Sequence, residues 1–256
     1  MHTDDDGHHD RAVAACAAGD LGAAADAYTR GARAVLAAPR PDVDPLAADP
    51  KGWVGDGVRL LQCAAIASHA AGATDRRDAR ILEARGVCAD LQRTLTAPGQ
   101  RACVTEAIAD LHRIAADAAA AEAAATAAVD AYAAAADAIA DVQVLATTPL
   151  FTAVAAPIAQ LARGQHDGEI VLGYDALHGP DPSDVAGFLA HRVRTKQARW
   201  RGLLATAAET RTLAAPRGTT AYSVQTHRCP ACGSRDINWV AGLELCLRCS
   251  TPLERQ

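Results

Sequence analysis

Four of the eight cysteines stand in two C-x-x-C pairs near the C-terminal end, Cys229 with Cys232 and Cys246 with Cys249. One C-x-x-C turn lets two thiolates reach a single ion, and two such turns supply four ligands. Four soft sulfurs in a tetrahedron select Zn²⁺, and a shell closed by four side chains leaves no position for a substrate water. The expected cofactor is therefore one structural Zn²⁺. Gly233 follows the second ligand directly and suits the unusual backbone of such a turn. The other cysteines, Cys16, Cys63, Cys88 and Cys103, lie singly in helical patterns and read as small buried hydrophobes.

The string CPACGSRDINWVAGLELCLRCS resembles the zinc-ribbon family. That resemblance implies a small β module over residues 227–256, with Asp236 to Val240 and Leu243 to Cys246 as strands joined at Ala241-Gly242. Thirteen residues separate Cys232 from Cys246, a compact hairpin. The module's own core amounts to Ile237, Trp239, Val240, Leu243, Leu245 and Leu247. Metal binding must then contribute most of its folding free energy, on the order of 10 kcal/mol at neutral pH. Two rival chemistries use the same residues. A thioredoxin-like dithiol needs one C-x-x-C in an α/β context, which this chain lacks, and a rubredoxin-type centre holds iron on the same four sulfurs.

Residues 190–256 hold eleven Lys and Arg against four acids, an excess of seven, while the chain as a whole carries −5. A basic end on an acidic body points to a polyanion such as DNA or RNA, held through Arg192, Arg194, Lys196, Arg199, Arg201, Arg228, Arg235 and Arg248. On a helical wheel Arg192, Lys196 and Arg199 lie at or beside the apolar face, whereas Arg194 and Arg201 point away. The same cations therefore have a second use, docking against the acidic body with their stems on apolar surface. The working expectation is a non-enzymatic binding protein that contacts nucleic acid. An adaptor holding other proteins, and a helical metal-dependent hydrolase, are the alternatives. The hydrolase reading compares His166-Asp167, with His112 upstream and Asp175 or Asp181 downstream, to HD-type phosphohydrolases. No P-loop, dinucleotide-binding glycine pattern, Ser or Cys nucleophile motif or H-E-x-x-H site is present, and no catalytic residue is assigned.

The elements that must carry this module read as helix after helix. The fold class expected is mainly α, an alanine-rich multi-helix bundle with one long helix, followed by the small C-terminal β module. Residues 1–10, acidic and rich in His, read as a disordered tail. Residues 11–214 form the helical domain, interrupted by a proline-rich linker at about 39–51 that carries Pro39, Pro41, Pro45 and Pro50. Helices are expected from Arg11 to about Ala18, Leu21 to Ala38 and Trp53 to Ala71, then from an N-cap at Thr74 to Pro98-Gly99. The stretch from Gln100 to Thr147 has no proline or glycine and is expected as one long helix. Its heptad seam runs through Val104, Leu111, Ala118, Ala125, Tyr132 and Ile139, with Ala107, Ile114, Ala121, Ala128, Ala135 and Val142 three residues on. That coiled-coil-like seam fits another helix of the chain or a second copy. Pro149 to Leu161 and, capped by Ser183, a helix to about Ala214 complete the domain; residues 215–226 read as a flexible linker. GDLGAAADAYTRGARAVL faintly resembles half a tetratricopeptide repeat but does not recur. With no long uncharged apolar run and no basic, apolar leader, the expected location is the cytoplasm and no membrane contact is expected.

Overall fold

The structure, a computed structural model, describes residues 4–38, 44, 46, 53–163, 172 and 174–255. The proline-rich linker and the His166-Asp167 pair lie outside the described residues, apart from Asp44 and Leu46 in the linker. Three helical hairpins open the chain: α1 (Asp4–Ala17) with α2 (Leu21–Ala37), α3 (Val54–Ala70) with α4 (Thr74–Thr94), and α5 (Pro98–Ile114) with α6 (Ala118–Ala135). Short helices follow, α7 (Val142–Leu145), α8 (Pro149–Ala153), α9 (Ala156–Ala162) and α10 (Tyr174–Leu177), before the long α11 (Val185–Thr210). α3 is the hub, touching α2, α4, α5, α8, α9 and α11, and nearly every residue on it is buried, as an all-round apolar helix requires. Its first turn runs so close to α8 that a Cβ on Gly55 would lie 2.2 Å from the backbone of Pro149 and Leu150.

The expected single helix over 100–147 is in fact α5, α6 and the short α7, broken at Ala115–Asp117 and again between Ala135 and Val142. Ala116 takes φ 63°, and the Asp117 carboxylate accepts the Ala120 amide at 3.2 Å. The α1–α2 turn repeats this device, with Gly19 at φ 73° and Asp20 capping through the Ala23 amide at 2.9 Å. Alanine pays a steric penalty in the left-handed region that glycine does not, so the second break carries no glycine signal. The seam residues Val104, Ala107, Leu111, Ile114, Ala121, Ala125, Ala128, Tyr132 and Ala135 are all buried within the chain. They pack α5 and α6 together and against α11, so this face is not free for a second copy.

Other boundaries shift for local reasons. The segment expected as a disordered tail is helical from Asp4 onward. Thr74 is the first residue of α4, not its cap. Asp184, not Ser183, caps α11 by accepting the Gly187 amide at 2.9 Å, while Ser183 bonds to Asp181. Pro149 opens α8 as expected, but the helix ends at Ala153 and α9 restarts with Pro157 in its first turn.

Beyond α11 the chain forms β1 (Thr219–Ala221), β2 (His227–Arg228), β3 (Ile237–Val240), β4 (Leu243–Cys246) and β5 (Glu254–Arg255). β1, β3 and β4 make one antiparallel sheet, with Thr219 opposite Trp239 and Trp239 opposite Glu244; β2 pairs with β5. The segment expected as a flexible linker therefore supplies an edge strand. The fully buried Asn238 fastens it, accepting the Gly218 amide at 2.8 Å and donating to the Pro216 carbonyl at 3.0 Å. Leu245 joins the main hydrophobic core, so the β module is seated on the helical body.

Candidate metal centre

Each cysteine pair is shaped by the same backbone turn. The Gly233 amide donates to the Cys229 carbonyl at 2.9 Å, and the Ser250 amide to that of Cys246 at 3.0 Å. The Cys229 amide donates to Ser234 O, and the Cys246 amide to Thr251 O, both at 2.8 Å. Gly233 has φ 72° and Ser250 φ 60°, so both turns pass through the left-handed region one residue after the second cysteine. The left-handed position that the sequence marks with glycine in the first turn is thus held by serine in the second.

The four sulfurs converge. Sγ of Cys229 lies 3.5 Å from that of Cys249, Cys232 is 3.5 Å from Cys246 and 3.7 Å from Cys249. All four lie within 4.8 Å of one another, and all are free thiols. Metal–sulfur bonds of about 2.3 Å in a tetrahedron place sulfurs about 3.8 Å apart, close to these separations. A disulfide would need about 2.0 Å. The arrangement can hold a metal ion. Cys229 and Cys246 are buried against the module while Cys232 and Cys249 face solvent. Crowding splits the thiols: a hydrogen bond from Cys246 brings Cys249 down to about 4, the same contact drives Cys246 up, and burial raises Cys232. The Arg228 guanidinium reaches over the first turn, within 3.8 Å of where a Cβ on Gly233 would be.

The cations expected to form one basic surface divide into two sets. Arg192 and Lys196 are wholly buried, which corrects their assignment to a polyanion-binding face, because a guanidinium or ammonium sealed in a core cannot meet a phosphate. They face Glu106 and Asp110 of α5, in line with their wheel position beside the apolar face and with the alternative of docking against the acidic body. Arg192 donates to Glu106 from Nε at 2.9 Å and Nη2 at 2.6 Å and lies 3.7 Å over the Phe151 ring. Lys196 donates to Glu106 at 2.8 Å and to the Val154 carbonyl at 2.7 Å, and it also pairs with Asp110. The Tyr132 hydroxyl donates to Glu106 at 2.6 Å, and Trp200 and Arg113 donate to Asp110 at 3.0 and 2.9 Å. Burial works against the charge on Glu106, but Arg192 and Lys196 hold it ionised at about 2, whereas at Asp110 burial outweighs Lys196 and Arg113 and pushes the carboxyl up.

Arg194, Arg199 and Arg201 on α11 and Arg228 on β2 are exposed and make no ion pair among the described residues. Arg235 bonds to Gln225, and Arg248 to Asp236 at 3.2 Å. His112 pairs with Asp117 at 3.5 Å, beside the break between α5 and α6. Among the described residues no helix is long and apolar enough to cross a membrane. Comparison with family models, with curated proteins and with solved structures returns no match.

Proposed function

We propose that the four thiolates hold one structural Zn²⁺ in a zinc-ribbon arrangement, and that the protein is a non-enzymatic binding protein whose exposed cations contact nucleic acid. The observation that carries the metal reading is the pair of matching turns with four sulfurs at near-tetrahedral spacing. A closed thiolate shell suits Zn²⁺ and leaves no site for metal-activated water. For the partner, what supports the reading is narrower than the sequence excess of seven. Arg192 and Lys196 account for two of those charges and are neutralised inside the body, and a dication on four thiolates cancels two more. The contact set becomes Arg194, Arg199, Arg201 and Arg228, with Tyr222, 59% exposed beyond β1, as a face on which a base can stack.

The metal content of the purified chain tests the first half: one zinc per chain by native mass spectrometry, removed by a chelator under reducing conditions. Fluorescence anisotropy with a labelled single strand tests the second. Four phosphate contacts give a slope of log affinity against log salt of about −3. The double reversal Arg194→Glu with Arg201→Glu should weaken binding and flatten that slope. Binding indifferent to salt and to both charges ends the nucleic-acid reading. A protein adaptor is the second reading, favoured by the outward face of α6, where Ala119, Ala123, Ala127, Ala133 and Ala134 are exposed and only Glu122 and Asp130 carry charge. Capture of a defined protein after nuclease treatment, lost when that face is made charged, distinguishes it.

A further inference from the structure

Arg163 follows α9, at the seam between the helical body and the β module. It is 4% exposed, yet Nε, Nη1 and Nη2 have no hydrogen-bond acceptor among the described residues. A buried charge left in that state is strongly unfavourable unless an opposite charge answers it. The ionisable groups whose charge acts on it are Arg217 from the joint, Cys246 from the four-cysteine cluster and Tyr28 from α2. Burial and then Arg217 pull the guanidinium down, Cys246 and Tyr28 act the other way, and it comes to about 10. Tyr28 keeps its proton because burial drives its phenol far up, so among these neighbours only the thiolate cluster offers negative charge.

Hydrogen bonds of neighbouring residues hold the end of α9 against the segment that leads to that cluster. Gln160, one turn earlier on α9, donates to the Ala214 carbonyl and the Tyr28 hydroxyl, both at 2.9 Å. The next amide, that of Ala215, donates to Ser250 Oγ at 3.0 Å, and the Ser250 amide returns to the Cys246 carbonyl at 3.0 Å. α9 and the second cysteine turn therefore share one buried seam. Four thiolates around a dication leave two negative charges at its edge.

We propose that Arg163 is the counter-cation of the loaded metal centre, a positioning residue that couples metal binding in the β module to the stability of the helical body. This rests on reading the four cysteines as a zinc site. With zinc bound, the guanidinium has a charge partner; without it, the body keeps an unanswered buried charge. The full chain tests this with Zn²⁺ itself, competed against a chromophoric chelator, and with far-ultraviolet melting of the helices. For the wild type, zinc removal should lower the helical midpoint by several degrees. Arg163→Met should weaken zinc about 10–100-fold, the range for residues that support metal ligands from outside the shell. It should also leave the zinc-free helices more stable than those of the zinc-free wild type, and Arg163→Lys should recover much of the affinity. A wild-type helical midpoint unmoved by zinc removal overturns the coupling without any variant. Equal zinc affinity in wild type and Arg163→Met, or in Arg163→Lys and Arg163→Met, overturns the counter-cation role. A wild-type chain that binds no zinc refutes the zinc reading itself, a result distinct from these.

Discussion

The molecule gathers charge in two places and closes each in a different way. In the helical body, Glu106 and Asp110 of α5 meet Arg192 and Lys196 of α11 together with Arg113, so the chain supplies both signs. In the β module the four sulfurs of Cys229, Cys232, Cys246 and Cys249 converge in an arrangement that can hold a metal ion, and in the proposed zinc reading that ion supplies the balancing charge. The body can bury its charges because it has a large apolar core built around α3 and α11. The module buries few apolar side chains, Ile237, Leu245 and Leu247, and is therefore expected to depend on a metal and on its seat on the body. An internally closed network needs only the fold, whereas an externally closed one makes the fold depend on supply.

Removing the external partner should have the largest effect. Chelation of the proposed zinc, or Cys246→Ser, is expected to abolish the module's β structure, a loss on the order of 10 kcal/mol of folding free energy. Most helical signal should survive, with a lowered midpoint. Amide exchange read separately over 216–255 and over α3 checks this, and full protection of β3 and β4 without metal contradicts it. Breaking the internal network should come next. Glu106→Gln leaves Arg192 and Lys196 short of charge in a sealed core, and about 3–5 kcal/mol is expected from removing one member of such a set. At about 2–4 °C per kcal/mol for a chain of this size, the helical midpoint should fall by roughly 10 °C. A shift of a degree or less shows that the network is not what holds α5 to α11.

Acid should separate the two regions along the pH axis. Glu106 is held down at about 2 from an ordinary 4.5, so its contribution is present above pH 4.5 and is lost as pH falls toward 2. Asp110 moves upward and partly offsets this, so Asp110→Asn isolates the Glu106 component. The module should fail first, because protons compete with the metal for thiolates. Circular dichroism against pH, with zinc release followed in parallel, should show two steps. A single step at the pH of zinc release points to one cooperative unit instead.

The same contrast explains what the residues reveal in one dimension. The four-cysteine cluster is legible because its members come in local pairs, and Gly233 marks the end of the first turn. The second turn hides its left-handed residue because Ser250 stands where glycine does in the first. The helical class and most helix ends are legible from periodicity and from prolines and glycines, but the α5–α6 break is not, because Ala116 adopts a conformation that alanine seldom takes. Its one signal is Asp117, placed after Ala116 as Asp20 is placed after Gly19. Arg192 and Lys196 mislead for a deeper reason. Their partners Glu106 and Asp110 lie 86 residues away in the chain, so charge counted along the sequence registers them as a basic surface. Asn238 is another long-range case, since its bonds to Pro216 and Gly218 turn an apparent linker into a strand.

The smallest expected effect probes the seam where the two regions meet. Ser250→Ala removes the acceptor of the buried Ala215 amide and keeps a side chain at φ 60°, so a loss of about 1–3 kcal/mol is expected. Ser250→Gly removes the same bond but relaxes the backbone, and it should cost less than alanine. Which transition moves is as informative as the amount. If the seam transmits stability, the module and the helices shift together in a denaturant series read at both regions. If only the module shifts, Ser250 is a local part of the second cysteine turn, and Arg163 is left as the link that must carry any coupling.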